Sequence, residues 1–283
     1  MNIFSGKTRV VGIIGYPIAH SLSPKMQNAA FEACELDYVY VPFEVSPENL
    51  AAAVSGLRAL GVHGFNVTIP HKTTIIPYLD RLDPGAEEAG AVNTVTLRDG
   101  LMIGYNTDGD GLVASLAEDL EYTPGAGIVL VVGAGGAARG AVAALCRAGV
   151  RHIVIMNRSE EAARILAMEM STRYPNVVLK AVRQGELDSV TLETLALILN
   201  TTSLGMKGER VDSVDISALP ATAKVYDMVY SATGTPFVRE AIARGLQAVN
   251  GRGMLAAQGE RAFLIWTGRI PPKGLMKQEL QGA

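Results

Sequence analysis

The chain is short of cysteine, of histidine and of any surplus charge. Its 283 residues hold two cysteines, Cys34 and Cys146, which cannot build a disulfide framework. Each follows an apolar, helix-like stretch, Ala29-Ala30-Phe31 or Ala143-Ala144-Leu145, and both are read as buried, inert thiols. The four histidines, His20, His63, His71 and His152, have no metal-ligand spacing, and no cysteine or carboxylate cluster joins them. No metal site is expected, and His71, beside Lys72, is read as a surface or supporting residue. The formal net charge is −3, so no basic excess exists to neutralise phosphates and a nucleic-acid coat is disfavoured. No apolar run reaches membrane-spanning length, and the opening stretch is broken by Gly12 and Gly15. A soluble cytoplasmic protein with no membrane partner is the expectation. The string G-x-x-x-x-G-K-[ST] is missing, which argues against a P-loop nucleotidase. The elbow G-x-S-x-G is missing too, which argues against a serine hydrolase.

What the chain has in plenty is glycine, 30 residues of 283, and apolar side chains, 48 % of the total. That apolar share excludes a disordered chain, and the length suits two domains that each bury a core. The first part alternates strands and helices: Val10–Ile14, a helix over Pro24–Cys34, Tyr38–Val45, a helix over Leu50–Leu60 and Gly64–Thr68. A hairpin of Val92–Leu97 and Leu101–Tyr105 turns at Asp99-Gly100. A helix is expected over Asp108–Leu120. A second alternating set follows: Ile128–Val132, a helix Ala137–Ala148, His152–Met156, a helix Ser159–Tyr174, then strands at Val177–Ala181, Leu197–Asn200, Lys224–Asp227 and Gln247–Asn250. Met254–Thr267 reads as a long final helix. The pattern is that of an α/β protein with its domain boundary near Thr107. Gly109 and Gly111 are read as permitting a hinge there.

Gly133-Ala134-Gly135-Gly136-Ala137-Ala138 directly follows a fully apolar strand and opens a helix. This is G-x-G-x-x-A in the context that dinucleotide binding requires. Gly133 permits the tight turn, Gly135 lets backbone approach a pyrophosphate, and Ala138 allows close helix–sheet packing. The helix N-terminus supplies N–H donors and the positive dipole end. The next strand ends in Asn157-Arg158-Ser159 instead of the acid that binds a ribose 2′-hydroxyl. An acid there would repel a 2′-phosphate, whereas Arg158 can pair with one. The expected cofactor is therefore NADP.

The first half carries polar clusters in otherwise apolar text: Ser21-Leu22-Ser23-Pro24, Asn66-Val67-Thr68-Ile69-Pro70-His71-Lys72, Gly90-Ala91-Val92-Asn93-Thr94 and Gly104-Tyr105-Asn106-Thr107-Asp108-Gly109. The second half adds Asn200-x-Thr202-Ser203-x-Gly205-Met206, Tyr226-Asp227-Met228-Val229-Tyr230 and Asn250-Gly251-x-Gly253-Met254-Leu255-x-x-Gln258-Gly259. In this order, from Gly12 to about Gly268, the sequence resembles the shikimate dehydrogenase family. The resemblance implies an N-terminal α/β substrate domain (1–107) and a Rossmann-type, doubly wound NADP-binding domain (108–250). C-terminal helices (251–283) would return to pack on the substrate domain. It also implies reversible reduction of 3-dehydroshikimate to shikimate by NADPH in chorismate and aromatic amino acid biosynthesis.

By the same resemblance Ser21 and Ser23 hold the substrate carboxylate, with Ser23 also read as a helix N-cap before Pro24. Asn66, Thr68, Asn93 and Gln258 hold the ring hydroxyls. Lys72 and Asp108 form the catalytic pair, because a ketone that accepts hydride needs a proton donor in hydrogen-bond reach. Tyr230 is a substrate-side tyrosine. Gly133, Ala134, Gly135, Gly136 and Ala137 cradle the cofactor's pyrophosphate, Asn157, Arg158 and Ser159 its adenosine phosphate, and Met228 and Gly251 its nicotinamide end. Many members carry a second basic residue soon after Asn-Arg-Ser/Thr, where Glu160, Glu161 and Ala162 stand here, and Arg164 is the candidate replacement. The alternatives are a quinate/shikimate dehydrogenase of wider range and a non-catalytic nucleotide sensor, acting in each case as a monomer or homodimer.

Overall fold

Burial of both faces of the first strand sets the layering of the N-terminal unit. In the computed structural model, which describes residues 4–125, 127–230 and 234–281, β1 (Arg9–Gly15) sends Val11 and Ile13 into one apolar cluster and Ile14 into another. The chain continues through α1 (Ser23–Ala33), β2 (Tyr38–Glu44), α2 (Leu50–Ala59), β3 (Gly64–Val67), β4 (Arg81–Leu82), α3 (Pro84–Ala89), β5 (Thr94–Arg98), β6 (Leu101–Tyr105) and α4 (Asp108–Leu120). The sheet order is β2-β1-β3-β5-β6-β4. β1 runs parallel to β2 and β3, and β5 runs antiparallel to β3 and β6. Asp99 and Gly100, at φ +52° and +78°, make the expected turn between β5 and β6.

The hairpin's first strand starts two residues later than its apolar pattern suggests. Val92 N donates to Lys72 O at 2.7 Å and Asn93 N to Tyr105 O at 3.0 Å, so this backbone ties a loop to the sheet. Helix α3 was not expected, although Asp83 caps it by accepting from Gly85 N and Ala86 N, and Gly90 ends it at φ +60°.

The second unit contains β7 (Ile128–Val132), α5 (Gly136–Arg147), β8 (His152–Asn157), α6 (Glu160–Arg173), β9 (Val178–Arg183), α7 (Ser189–Glu193), β10 (Leu195–Asn200), β11 (Lys224–Asp227), α8 (Pro236–Ala243) and β12 (Gln247–Asn250). Its six strands are all parallel in the order β12-β11-β10-β7-β8-β9. Counted within the unit this is 3-2-1-4-5-6, the doubly wound order whose chain reversal lies between β7 and β10. Ligands of such sheets sit at the carboxyl ends of the strands at that reversal. There, Thr201 N and Thr201 Oγ1 both donate to Val132 O, at 2.9 and 2.7 Å.

The final helices are α9 (Arg252–Thr267) and α10 (Leu275–Glu279). Phe263, Trp266, Met276 and Leu280 join Phe31, Met26 and Tyr40 in one buried cluster, and Trp266 Nε1 donates to Val95 O at 2.9 Å. Contacts divide the chain into 1–111 with 255–283 and 112–254, so both divisions fall inside helices, α4 and α9. Gly109 and Gly111 lie within α4 and not in an extended hinge segment. Among the described residues, no helix is long and apolar enough to cross a membrane.

The two thiols differ. Cys146 is buried in α5, and desolvation pushes its thiol up to about 12. Cys34, expected to be buried, is only half-buried, because it is the residue that ends α1. A thiol reagent such as DTNB should therefore label one group quickly in the native protein and the second only on unfolding. Cys34→Ser should abolish the fast phase; labelling of both thiols at one rate would contradict the assignment.

Candidate active site

The polar clusters of the first half converge on Asn93. Asn66 sits near the end of β3, Asn93 just before β5, and Asp108 opens α4, where the helix dipole favours a carboxylate. Lys72 lies in the turn after β3, and its Nζ donates to Asp108 Oδ2 at 2.6 Å. The two side chains are 14 % and 8 % exposed. Asn93 Nδ2 donates to Asp108 Oδ1 at 2.9 Å, to Thr107 Oγ1 at 2.9 Å and to Gln258 Oε1 at 3.4 Å. Its Oδ1 accepts from Thr107 N at 2.8 Å and from the Thr94 hydroxyl at 3.1 Å. Donors on one side and acceptors on the other fix the orientation of the amide. Asn66 Nδ2 donates to Asn93 O at 3.1 Å and to Thr94 Oγ1 at 2.9 Å, while Tyr40 OH donates to Asn66 Oδ1 at 2.7 Å.

Five of the expected site residues, Asn66, Lys72, Asn93, Asp108 and Gln258, are thus joined in one hydrogen-bonded network. Gln258 is anchored on α9 by its Nε2, which donates to Leu255 O at 2.8 Å. Ser21 and Ser23 are joined to each other, with Ser23 N donating to Ser21 Oγ at 3.3 Å. The N-cap of α1 is Leu22, not Ser23, so Ser23 is a buried residue of the first helical turn, free of a capping duty. Thr68 is half-buried after β3, and its carbonyl accepts from His71 N at 2.9 Å. His71 is 1 % exposed rather than on the surface, and its Nε2 is 2.7 Å from Val45 O, so it braces the Lys72 turn. Sequence reasoning missed Tyr40, Thr94 and Thr107 as members of the network. Thr94 and Thr107 stand within motifs already noticed, whereas nothing around Tyr40 distinguished it from a core residue.

In the second unit Gly133 has φ +114°, and a Cβ there would stand 2.5 Å from Thr201 Oγ1. Gly135 is exposed, is the N-cap of α5 with no side-chain cap bond, and a Cβ on it would meet nothing within 4 Å. Ala138 is fully buried. Gly135 therefore presents bare backbone to open space at the N-terminus of α5, where the first-turn N–H groups begin, a cradle that fits a dinucleotide pyrophosphate. β8 ends at Asn157, whose Nδ2 donates to Ser159 O at 3.0 Å. Arg158 is exposed, and Ser159 is the N-cap of α6 with no side-chain cap bond. Arg158 lines a cavity of about 360 Å³ with Arg183, Gln184, Gly185, Asp212 and Ser213. Arg164 donates to Glu161 at 2.7 to 2.9 Å, an ion pair on the exposed face of α6.

Met228 and Tyr230 follow β11 in this unit. A Cβ at Gly251 would collide with Met228 O, so only glycine allows that approach. The motif around them is held by Asp227, which sequence reasoning passed over. This fully buried carboxylate accepts from Asn200 Nδ2 at 2.8 Å, Val229 N at 3.0 Å and Thr235 Oγ1 at 2.6 Å. Burial raises its pKa above the ordinary carboxylate range despite these bonds.

Family models match the chain in three places: a shikimate dehydrogenase substrate binding domain over 13–95, a shikimate/quinate 5-dehydrogenase over 116–191 and a shikimate 5'-dehydrogenase C-terminal domain over 251–281. A shikimate dehydrogenase (NADP(+)) from Geobacter sp. strain M21 is 54 % identical over 98 % of this chain and 96 % of its own. A shikimate dehydrogenase solved in complex with NADP+ superposes with TM-score 0.89 at 38 % identity, covering 98 % of this chain and 96 % of that one. The Thermus thermophilus shikimate 5-dehydrogenase, solved with NADP(H) and shikimate, gives 0.83 at 32 % identity, covering 96 % of this chain and 98 % of that one. With the sheet order, the glycine cradle and this likeness over nearly the whole length, the chain belongs to the shikimate dehydrogenase family.

Proposed function

We propose that the protein catalyses the reversible NADPH-dependent reduction of 3-dehydroshikimate to shikimate. The observation that carries the reading is the 2.6 Å contact of Lys72 Nζ with Asp108 Oδ2 inside a network of amide and hydroxyl groups. A ring bearing one carboxylate and several hydroxyls needs such donors and acceptors rather than a greasy pocket. NADPH, when bound, supplies the hydride. Lys72 gives a proton to the ketone oxygen as the carbonyl carbon becomes C–H, and takes it from the hydroxyl in the reverse direction. Asp108 orients the amine through Oδ2, and Asn93 holds Asp108 through Oδ1. Asn66, Thr68, Asn93 and Gln258 serve the ring hydroxyls, Ser21 and Ser23 the carboxylate, and Tyr230 the substrate. Gly133–Ala137, with Met228 and Gly251, hold the dinucleotide, and Asn157, Arg158 and Ser159 its adenosine phosphate. The reading includes a cytoplasmic location, which the free thiols of Cys34 and Cys146 suit.

The test follows absorbance at the nicotinamide band after shikimate is added with NADP, and then with quinate and with NAD in turn. Shikimate with NADP is expected to give the fastest turnover. Tight cofactor binding without any absorbance change would point instead to a nucleotide sensor. Arg158→Ala should raise the KM for NADPH at least tenfold, about the loss of one charge-assisted phosphate contact, with little change for NADH. Equal effects on the two cofactors would remove Arg158 from the phosphate site.

A further inference from the structure

Arg183 has no assigned role, yet the fold sets it beside Arg158. β8 and β9 are parallel neighbours in which Asn157 pairs with Arg183, and adjacent strands lie about 4.8 Å apart. Gln184 N donates to Asn157 O at 3.3 Å, so pairing continues to the residues where both strands end. Beyond it the chain turns at once. Glu186 N donates to Arg183 O at 3.1 Å, and Gly185 takes φ +86°. Both guanidinium-bearing residues line the same cavity of about 360 Å³ and both are exposed. Among the described residues neither has an ion-pair partner.

The rest of the lining suits an anion. Asp212 is the cavity's one carboxylate, and Arg210 pairs with it at 3.2 Å. Ser213 lines the cavity too, and its buried hydroxyl has no hydrogen-bond partner. A buried hydroxyl without a partner costs free energy that an incoming acceptor would recover. On the other flank Glu160 and Glu161 offer no cation, and Glu161 occupies Arg164.

We propose that Arg183 is the second cation for the cofactor's 2′-phosphate, closing on it from β9 opposite Arg158, with the Ser213 hydroxyl as a neutral donor. A phosphate monoester carries a charge of about −1.5 to −2 at neutral pH, enough for two guanidinium groups. The proposal rests on the reading that this protein uses NADP. It moves selectivity for the phosphate from the helix that follows Arg158 to the neighbouring strand.

The test is calorimetric titration of the whole protein with adenosine 2′,5′-bisphosphate and, separately, 5′-AMP. Arg183→Ala is expected to weaken the bisphosphate about tenfold and to leave 5′-AMP within twofold. Ser213→Ala should act in the same direction with a smaller factor. Arg183 is exposed at a strand end, so the substitution should leave the thermal melting of the free protein unchanged. Arg158→Ala separates the two ways of failing. If it is selective for the bisphosphate and Arg183→Ala is silent or unselective, the Arg183 assignment falls and the NADP reading stands. If neither variant discriminates the two nucleotides, the NADP reading of this site falls with it.

Discussion

Lys72→Ala is expected to lower shikimate turnover by about 10²- to 10⁴-fold, the usual worth of a positioned general acid–base group, while NADPH still binds. The cofactor cradle, Gly133 to Ala137 with Arg158, uses no group on the Lys72 turn, so affinity for the dinucleotide should hold. The substitution also removes the charge partner of Asp108, whose side chain is 8 % exposed. Leaving a nearly buried carboxylate with only the Asn93 amide should cost stability of about 3 kcal/mol. Thermal melting must therefore be measured beside kinetics. Lys72→Arg separates the two effects, because arginine retains the ion pair but does not release its proton. It should recover most of the stability and little of the turnover. Turnover of Lys72→Ala within tenfold of wild type would take the proton from some other group and overturn the role given to Lys72.

Ile128–Val132 was legible because it is a fully apolar run between Gly127 and Gly133, and the shorter Lys224–Asp227 and Gln247–Asn250 also stand where the pattern put them. The short helices were not. α3 carries Asp83-Pro84 at one end and Gly90 at the other, and α8 carries Thr235-Pro236, all end signals, but neither is long enough to show helical periodicity. The polar residues of the candidate site were legible as types and positions, since an Asn, Lys or Asp after an apolar strand stands out. Their mutual arrangement was not. Asn93 lies 165 residues from Gln258 in the chain, and only the return of α9 brings the two within 3.4 Å. Arg183 was hidden for the same reason, because strand pairing and not sequence spacing makes it Arg158's neighbour. Arg164, the nearer candidate by spacing, pairs with Glu161 one helical turn away.

Asn93→Asp is expected to be the most damaging conservative change in the N-terminal unit, and to damage it in a pH-dependent way. Asn93 is 3 % exposed. Its Oδ1 would keep its bonds from Thr107 N and Thr94 Oγ1, since those groups donate. The new Oδ2, in place of the amide nitrogen, would face Asp108 Oδ1, Thr107 Oγ1 and Gln258 Oε1. Of these, only the threonine hydroxyl can turn to donate. Two carboxylates this close repel, so the folded variant favours a proton shared between them over a pH range in which the unfolded chain, whose aspartates titrate at about pH 4, has already released it. The folded state then binds more protons than the unfolded one, and stability must fall as pH rises. Relative to wild type, the variant should lose about 3 kcal/mol or more at pH 7.5 and regain much of it near pH 5, read as urea midpoints across that range. Turnover should fall as well, because a proton shared with Asp108 weakens its hold on the Lys72 amine. A deficit constant from pH 5 to pH 7.5 would mean that the lost amide donor, and not charge on the Asp108 pair, governs the site.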